Sequence, residues 1–250
     1  MKAPGARAVD VAIWKLRFFP WGEWKPLALL WYRQYMVRRD EGGMVPPQTW
    51  HTFVRRFTAL HGRCLGMTLA GYSADDRARI IAKALAQASS GRDPLALALT
   101  FDRGAYNKMV RVLTAPLHDP VIRRCIVRWT EASFWSEPPG YIGRATVEHV
   151  LPQNPPAGSD WALEFPDDDD RFQYTHALGN LVPLDGERQA AAGNRPYTEK
   201  RGVYADLPRF EMLAALASEP VWTRDIIKRR KKALIRHIFE VLDLPIVERR

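Results

Sequence analysis

Residues 146–154, with the sequence TVEHVLPQN, constrain the fold of this chain more than any other segment. The part before Pro152 is rich in residues that favour β-strands, and Pro152 ends the strand because proline cannot donate to a ladder of hydrogen bonds. Glu148 and His149 are neighbours at the end of this strand. Successive side chains of a strand point to opposite faces, so the carboxylate and the imidazole can serve different partners, such as a metal ion and a water molecule.

A histidine alone on a strand is usually a structural residue, so the order of the motifs that follow decides its interpretation. Gly179-Asn180-Leu181 comes next, and then a segment from Asn194 to Lys200 with the sequence NRPYTEK. A strand with Glu-His, then Asn-Leu, then a helix with Asn and Lys resembles the HNH (ββα-metal) endonuclease superfamily. The spacing from His149 to Pro152 resembles its HxxP branch, the nuclease domain of GmrSD-like, modification-dependent restriction enzymes.

This resemblance covers residues 140–205 well and continues more weakly to residue 234. It implies an α+β protein that is mostly helical, with a small ββα-metal (HNH) nuclease core. The sequence EPPG at residues 137–140 is the clearest boundary in the chain. We therefore expect three parts: a helical N-terminal lobe (1–138), the nuclease core (139–205) and a C-terminal helical cap (206–250).

The chemistry that the resemblance implies is metal-assisted hydrolysis of a phosphodiester bond. His149 would be the general base that takes a proton from the attacking water. Glu148 and Asn194 would bind one divalent ion, and their oxygen donors suit Mg²⁺ or Mn²⁺. Asn180 would orient His149 through the backbone of the hairpin rather than bind the metal.

The other requirement of this reaction is a positively charged group in contact with the scissile phosphate. Lys200 is the residue that we expect to contact the phosphate, with Arg195 and Arg201 as second candidates. His176 either lines the site or makes a structural hydrogen bond, and the sequence leaves both roles open.

The net charge of +9 favours polyanions such as DNA or RNA as partners. One basic run dominates the C-terminal part: Lys228, Arg229, Arg230, Lys231 and Lys232. Such a run is usually solvated surface, but it could equally lie along a DNA backbone and make binding strongly dependent on salt. Earlier helices carry further arginines that are either solvated or in contact with phosphate: Arg55, Arg56, Arg123, Arg124 and Arg128.

Cofactors other than the divalent ion are not expected. The two cysteines, Cys64 and Cys125, cannot form a Cys₄ zinc site, so we expect no structural zinc and no disulfide. There is no P-loop and no Asp-Gly-Gln-Gln-Arg motif of the kind found in the nucleotide-hydrolysing domain of the related restriction enzymes. We therefore expect no nucleotide cofactor, and a separate nucleotide-hydrolysing sensor subunit is a candidate partner. No apolar run approaches the roughly 18 residues needed to span a bilayer, so we expect a cytoplasmic protein with no membrane partner.

Helical spacing of apolar residues predicts helices near residues 26–38, 74–89, 103–113, 120–134 and 223–242. The aromatic-rich residues 1–60 are predicted to form core and partner interface. Between the two strands, residues 155–170 are predicted to be a long polar loop, with Asp167 to Asp170 at a solvated tip. Residues 172–184 are predicted to be the return strand.

Together these features predict a metal-dependent HNH-type endonuclease that cuts DNA, in restriction or anti-phage defence. The alternative is a non-catalytic DNA-binding or interaction module that retains the HNH fold. The presence of every motif residue favours the enzyme.

Overall fold

A computed structural model describes residues 4–40, 47–92, 100–135, 144–205, 210–242 and 246–247. Its helices are α1 (Pro4–Lys15), α2 (Lys25–Asp40), α3 (Pro47–Leu69), α4 (Ala74–Ser89), α5 (Arg103–Thr114), α6 (Pro120–Ser133), α7 (Asp160–Glu164), α8 (Asp168–Thr175), α9 (Gly186–Ala192), α10 (Tyr197–Ala205), α11 (Glu211–Ala217) and α12 (Arg224–Leu242). The strands are β1 (Phe101–Asp102), β2 (Thr146–His149), β3 (Leu181–Leu184) and β4 (Ile246–Val247). The predicted fold class, mostly helical α+β, is confirmed.

The chain forms two compact units. The first contains residues 1–110 and 239–250, and the second contains residues 111–238. This division differs from the three predicted parts. Helix α6 packs against both β2 and β3, so the last part of the predicted N-terminal lobe, from residue 111 on, belongs with the β2–β3 hairpin. The predicted boundary at residues 137–140 lies outside the described residues.

In the first unit, α1 and α2 pack against α3, and α2 also packs against α4. The aromatic side chains of Trp31 and Phe57 are fully buried and meet edge to face with ring centroids 5.9 Å apart. The predicted start of α4 is confirmed, because Ser73 and Asp76 form a reciprocal capping box. Strand β1 pairs in parallel with β4.

An open apolar cavity of about 530 Å³ lies in the first unit, between α1 and α2. Its walls include the aromatic rings of Trp14, Trp24 and Tyr32, and Leu29 beside it is largely exposed. The predicted docking of a partner on residues 1–60 stays a prediction.

The second unit is built on an antiparallel hairpin. Strand β2 pairs with β3, and in this register Glu148 lies opposite Val182 and His149 opposite Leu181. Every residue of β3 is buried, because α6 and α11 cover it. The hairpin is therefore held in a packed apolar environment, and the ends of its strands have defined positions.

Glu131 joins two helices of the second unit. Its carboxylate on α6 accepts hydrogen bonds from the backbone N–H groups of Glu211 and Met212, at 2.8 and 2.9 Å, and so caps the start of α11. The Trp135 indole N–H donates to it as well. Burial raises the pKa of the Glu131 carboxyl, while the three donors act in the opposite direction.

Two predictions for the segment between the strands are wrong. The predicted polar loop over residues 155–170 contains α7 and the beginning of α8, which are capped by Ser159 and Asp167. The four aspartates stay largely exposed, but three of them form the acidic first turn of α8, where they complement the helix dipole. The return strand is also shorter than predicted, because residues 172–175 are helical and only residues 181–184 pair with β2.

Gly179, between α8 and β3, lies where another backbone segment passes very close. A Cβ atom at this position would lie 2.1 Å from the carbonyl oxygen of Ile227 and 2.8 Å from the backbone nitrogen of Lys231. Only glycine allows α12 to approach the hairpin this closely. No helix in the described part of the chain is long and apolar enough to cross a membrane.

Gly179→Ala is expected to destabilise the protein by about 1–3 kcal/mol, because α12 must move away from the hairpin to admit the methyl group. Gly202→Ala is the matched control, since Gly202 is a helical residue with nothing within 4 Å of its Cβ position. That change should be stabilising by roughly 0.5–1 kcal/mol, as expected for alanine in a helix. Urea unfolding measures both free energies, and equal values for the two variants would contradict the close approach.

Candidate functional site

The turn that follows β2 is held by Asn180, which is fully buried. Its backbone carbonyl accepts from the N–H of Val150 at 3.0 Å, and its side-chain oxygen accepts from the N–H of Leu151 at 2.7 Å. Its amide nitrogen donates to the carbonyls of Leu151 and Thr175, and the Trp222 indole donates to its oxygen. The two donors and two acceptor positions of this amide are all used, so Asn180 fixes the backbone beyond His149.

Lys200 holds the same turn from α10, and its side chain has no exposed surface. The ammonium donates to Glu148 Oε1 at 2.8 Å and to the carbonyls of His149 and Val150, both at 3.1 Å. The Tyr204 hydroxyl donates to the same Glu148 oxygen at 3.0 Å. Burial lowers the pKa of Lys200, and the Glu148 carboxylate acts against that shift.

This arrangement differs from the predicted roles of Glu148 and Lys200. We expected a metal ligand and a phosphate contact, but the two side chains form a buried ion pair with each other. The three N–H donors of the ammonium are all engaged within the protein. The physical reason is burial: both side chains are buried, and there a charge without a partner would be costly.

His149 lies at the end of β2 and is 6% exposed. Its Nδ1 is 3.4 Å from the side-chain nitrogen of Gln153, and its Nε2 is buried with no hydrogen-bond partner in the described part of the chain. The Gln153 amide can present either its oxygen or its nitrogen, so the ring can carry its proton on either nitrogen. Burial, with smaller contributions from Arg123, His176 and Lys200, lowers the pKa of His149 to about 3. The ring is therefore neutral at pH 7 and keeps a free lone pair.

Three residues from elsewhere in the second unit form a group beside His149, which contacts it through His176. The His176 ring lies 5.2 Å from the His149 ring, and the His118 ring lies 4.9 Å from that of His176. The Arg123 guanidinium nitrogen Nη1 is 3.2 Å from His176 Nδ1. Burial, then Arg123 and His118, lower the pKa of His176 to about 4.

Sequence reasoning left the role of His176 open and missed His118 altogether. It named Arg123 only as one of several helical arginines. No motif spacing links residues 118–123 to the strand at 146–149, because α6 and the chain that follows it separate them. Only the packing of α6 on the hairpin brings these side chains to His149.

The predicted metal ligands, Glu148 and Asn194, do not fit a metal site in this structure. Glu148 is buried and paired with Lys200, whereas Asn194 is exposed in the turn after α9. Among the residues that the structure describes, no three His, Cys, Asp or Glu side chains converge closely enough to hold a metal ion. We therefore assign no ligand to the ion.

The candidate DNA-binding residues divide into exposed and buried ones. Arg195 and Arg201 are exposed, as are Lys228, Arg229 and Lys232. Lys231 is half-buried, and its ammonium donates to the carbonyl of Thr114 at 3.0 Å.

Arg230 differs from its neighbours in the basic run because it is 8% exposed. It donates to the carbonyl oxygens of Gly179 and Met212, and it lies over the Trp222 ring. Burial lowers its pKa to about 10. The run is predicted to be solvated or to lie along a DNA backbone. Arg230 does neither, because its guanidinium binds backbone carbonyls inside the protein.

Comparison with known proteins places this chain in a family. The family model described as GmrSD restriction endonucleases, C-terminal domain, matches residues 105–237. No curated protein and no solved structure shows significant similarity to the chain. The matched residues cover more than half of the chain and include the whole hairpin, His149 and the residues that hold its turn. The chain therefore belongs to the family of GmrSD restriction endonuclease C-terminal domains.

Proposed function

We propose that this chain is a metal-dependent, HNH-type endonuclease that hydrolyses DNA phosphodiester bonds in restriction or anti-phage defence. The observation that carries the proposal is the state of His149. Its ring is neutral and has a buried nitrogen without a partner among the described residues. His149 is also the last residue of a strand, and the turn after that strand is fixed by Asn180 and Lys200. A positioned neutral imidazole is what a general base requires.

In the proposed reaction, His149 takes a proton from a water molecule as the water oxygen attacks the phosphorus atom. The bond from phosphorus to the sugar oxygen then breaks, and the leaving oxygen takes a proton from solvent. The imidazolium that forms is buried beside Arg123, so it releases its proton readily once the product has left. The negative charge of a bound phosphodiester raises the pKa of the ring and makes it a stronger base in the complex than in the free protein.

The requirement for a divalent ion is also part of the proposal. Such an ion would stabilise negative charge on the phosphorane and on the leaving oxygen. The support for it is the family resemblance, since the predicted pair of ligands does not form a site. No step above depends on the ion.

Nicking of supercoiled plasmid tests the proposal. The chain is incubated with plasmid in Mg²⁺, in Mn²⁺ and in EDTA, and gel mobility separates supercoiled, nicked and linear DNA. We expect nicking with either ion and none in EDTA. A chain that shifts the plasmid in a binding gel but nicks it in neither ion is a non-catalytic DNA-binding module, which would refute the proposal.

The exposed part of the basic run should contribute to DNA affinity. Replacing Lys228, Arg229 and Lys232 together by glutamine is expected to reduce the slope of log K against log salt by about 0.9 for each phosphate that these side chains neutralise. Arg230 is left in place because it stabilises the fold. The control replaces three exposed basic residues elsewhere, Arg79, Lys83 and Arg92, and should leave the slope unchanged. Equal slopes for the wild type and the first variant would show that this surface is only solvated.

A further inference from the structure

Next to His149 lies a group of side chains to which the mechanism above gives no part in binding the substrate. His118, Arg123 and His176 form what we call the His–Arg cradle. The rings of His118 and His176 are 4.9 Å apart, and Arg123 contacts His176. Phe172, 52% exposed, stacks on His118 at 4.9 Å and so holds that exposed ring in place.

Arg123 is a partly buried cation whose guanidinium is not fully satisfied. Its Nη1 donates to the carbonyl of Leu117 at 3.1 Å and faces His176 Nδ1. Its Nε is buried with no hydrogen-bond partner among the described residues, and the Asp119 carboxylate, at the start of the same helix, interacts with the guanidinium electrostatically. A partly buried guanidinium that keeps unused N–H donors is suited to binding an anion, so this geometry favours the binding of one.

The hydrogen-bonding state of His176 follows from the same contact. A guanidinium has donors and no acceptor, so His176 Nδ1 must accept, and its single proton lies on Nε2. The cradle thus offers a guanidinium and an imidazole N–H beside His149, while His118 adds a third basic group. The charged side chains that flank it on α6 are Asp119, which caps the helix, and Arg124, which is exposed.

We propose that the His–Arg cradle binds a phosphodiester group of DNA, with Arg123 as its principal ligand, and places that group next to His149. This rests on the proposed nuclease function. The cradle supplies the positive charge that we had expected from Lys200, whose ammonium is occupied inside the protein. A guanidinium suits this task because its planar fork matches the oxygens of phosphate.

Histidine ring signals in nuclear magnetic resonance spectra test the cradle without catalysis. The probes are thymidylyl-thymidine, which carries one phosphodiester, and inorganic phosphate. We expect the dinucleotide to produce saturable shifts of the His118 and His176 signals in the wild type. Arg123→Gln should weaken this binding at least tenfold, whereas Arg124→Gln, the charge-matched neighbour, should leave it unchanged.

Three outcomes would overturn the proposal. They are no saturable shift with the dinucleotide, an unchanged affinity in Arg123→Gln, and shifts that inorganic phosphate produces but the dinucleotide does not. The last result would show a site for free phosphate rather than DNA. Arg123→Lys and His118→Asn are the safer variants for folding, since one retains the charge and the other alters an exposed ring. Both should bind the dinucleotide more weakly than the wild type, and wild-type affinity in both would also count against the cradle.

Plasmid nicking separates the failure of this proposal from the failure of the proposed function. Arg123→Gln is expected to lower kcat/KM by about 10²–10³-fold, the usual loss for a group that stabilises transition-state charge. If the wild type nicks DNA and Arg123→Gln nicks it equally fast, the cradle is wrong and the nuclease assignment stands. If the wild type nicks nothing but binds the dinucleotide through Arg123, the nuclease assignment fails and the cradle stands.

Discussion

His149→Ala is expected to lower the rate of DNA cleavage by about 10²–10⁴-fold, the usual contribution of a general base. The measurement is the single-turnover rate at a protein concentration that saturates the plasmid, so that altered binding does not enter. DNA affinity should stay near that of the wild type. The unfolding midpoint should fall, because the buried ring that is removed leaves a cavity beside His176.

The matched control is His237→Asn. His237 is another histidine of the same unit, where it contacts Ser133 and stacks on Phe134. This variant should cleave at the wild-type rate. Cleavage by His149→Ala at the wild-type rate would remove His149 from the mechanism.

Lys200→Met should cause the largest loss of stability, about 3–5 kcal/mol, because it leaves the Glu148 carboxylate buried without its cation. It also removes the two hydrogen bonds that hold the backbone of His149 and Val150. Urea unfolding measures the effect. The pair Glu148→Gln and Lys200→Met should be more stable than Lys200→Met alone, since the introduced amide is neutral and can still accept from the Tyr204 hydroxyl.

A double-mutant cycle makes this test quantitative, because it isolates the coupling between the two side chains. Additive losses from Glu148→Gln and Lys200→Met would contradict a buried ion pair. A Lys200→Met variant with wild-type stability but slow cleavage would restore the predicted role of Lys200 as a phosphate ligand.

The long helices and the first strand of the hairpin could be predicted because their signals are local. Ser73 and Asp119 occur at helix starts with apolar residues at helical spacing behind them, and the structure shows both as N-caps. The short helices α7 and α8 could not be predicted in the same way. Their caps, Ser159 and Asp167, are present in the sequence, but the segment has too few apolar residues for a helical period to appear.

The roles of the charged site residues could not be predicted because charge does not reveal burial. Lys200 and Arg230 look like phosphate ligands in a basic chain, yet both are buried and donate to backbone carbonyls. Arg123 looks like one solvated helix residue among several. Its position beside His176 follows from the packing of α6 on the hairpin, which is a long-range property of the fold.

The proposed reaction turns on a single step, in which water activated by His149 attacks the phosphorus atom of a DNA strand. Cleavage of plasmid in water labelled with heavy oxygen tests this step most directly, with mass spectrometry of the new terminal phosphates. We predict one labelled oxygen atom in each new terminal phosphate for the wild type with Mg²⁺ or Mn²⁺, and no product within the same time for His149→Ala. Unlabelled terminal phosphates, or no cleavage by the wild type in either ion, would contradict the proposed reaction.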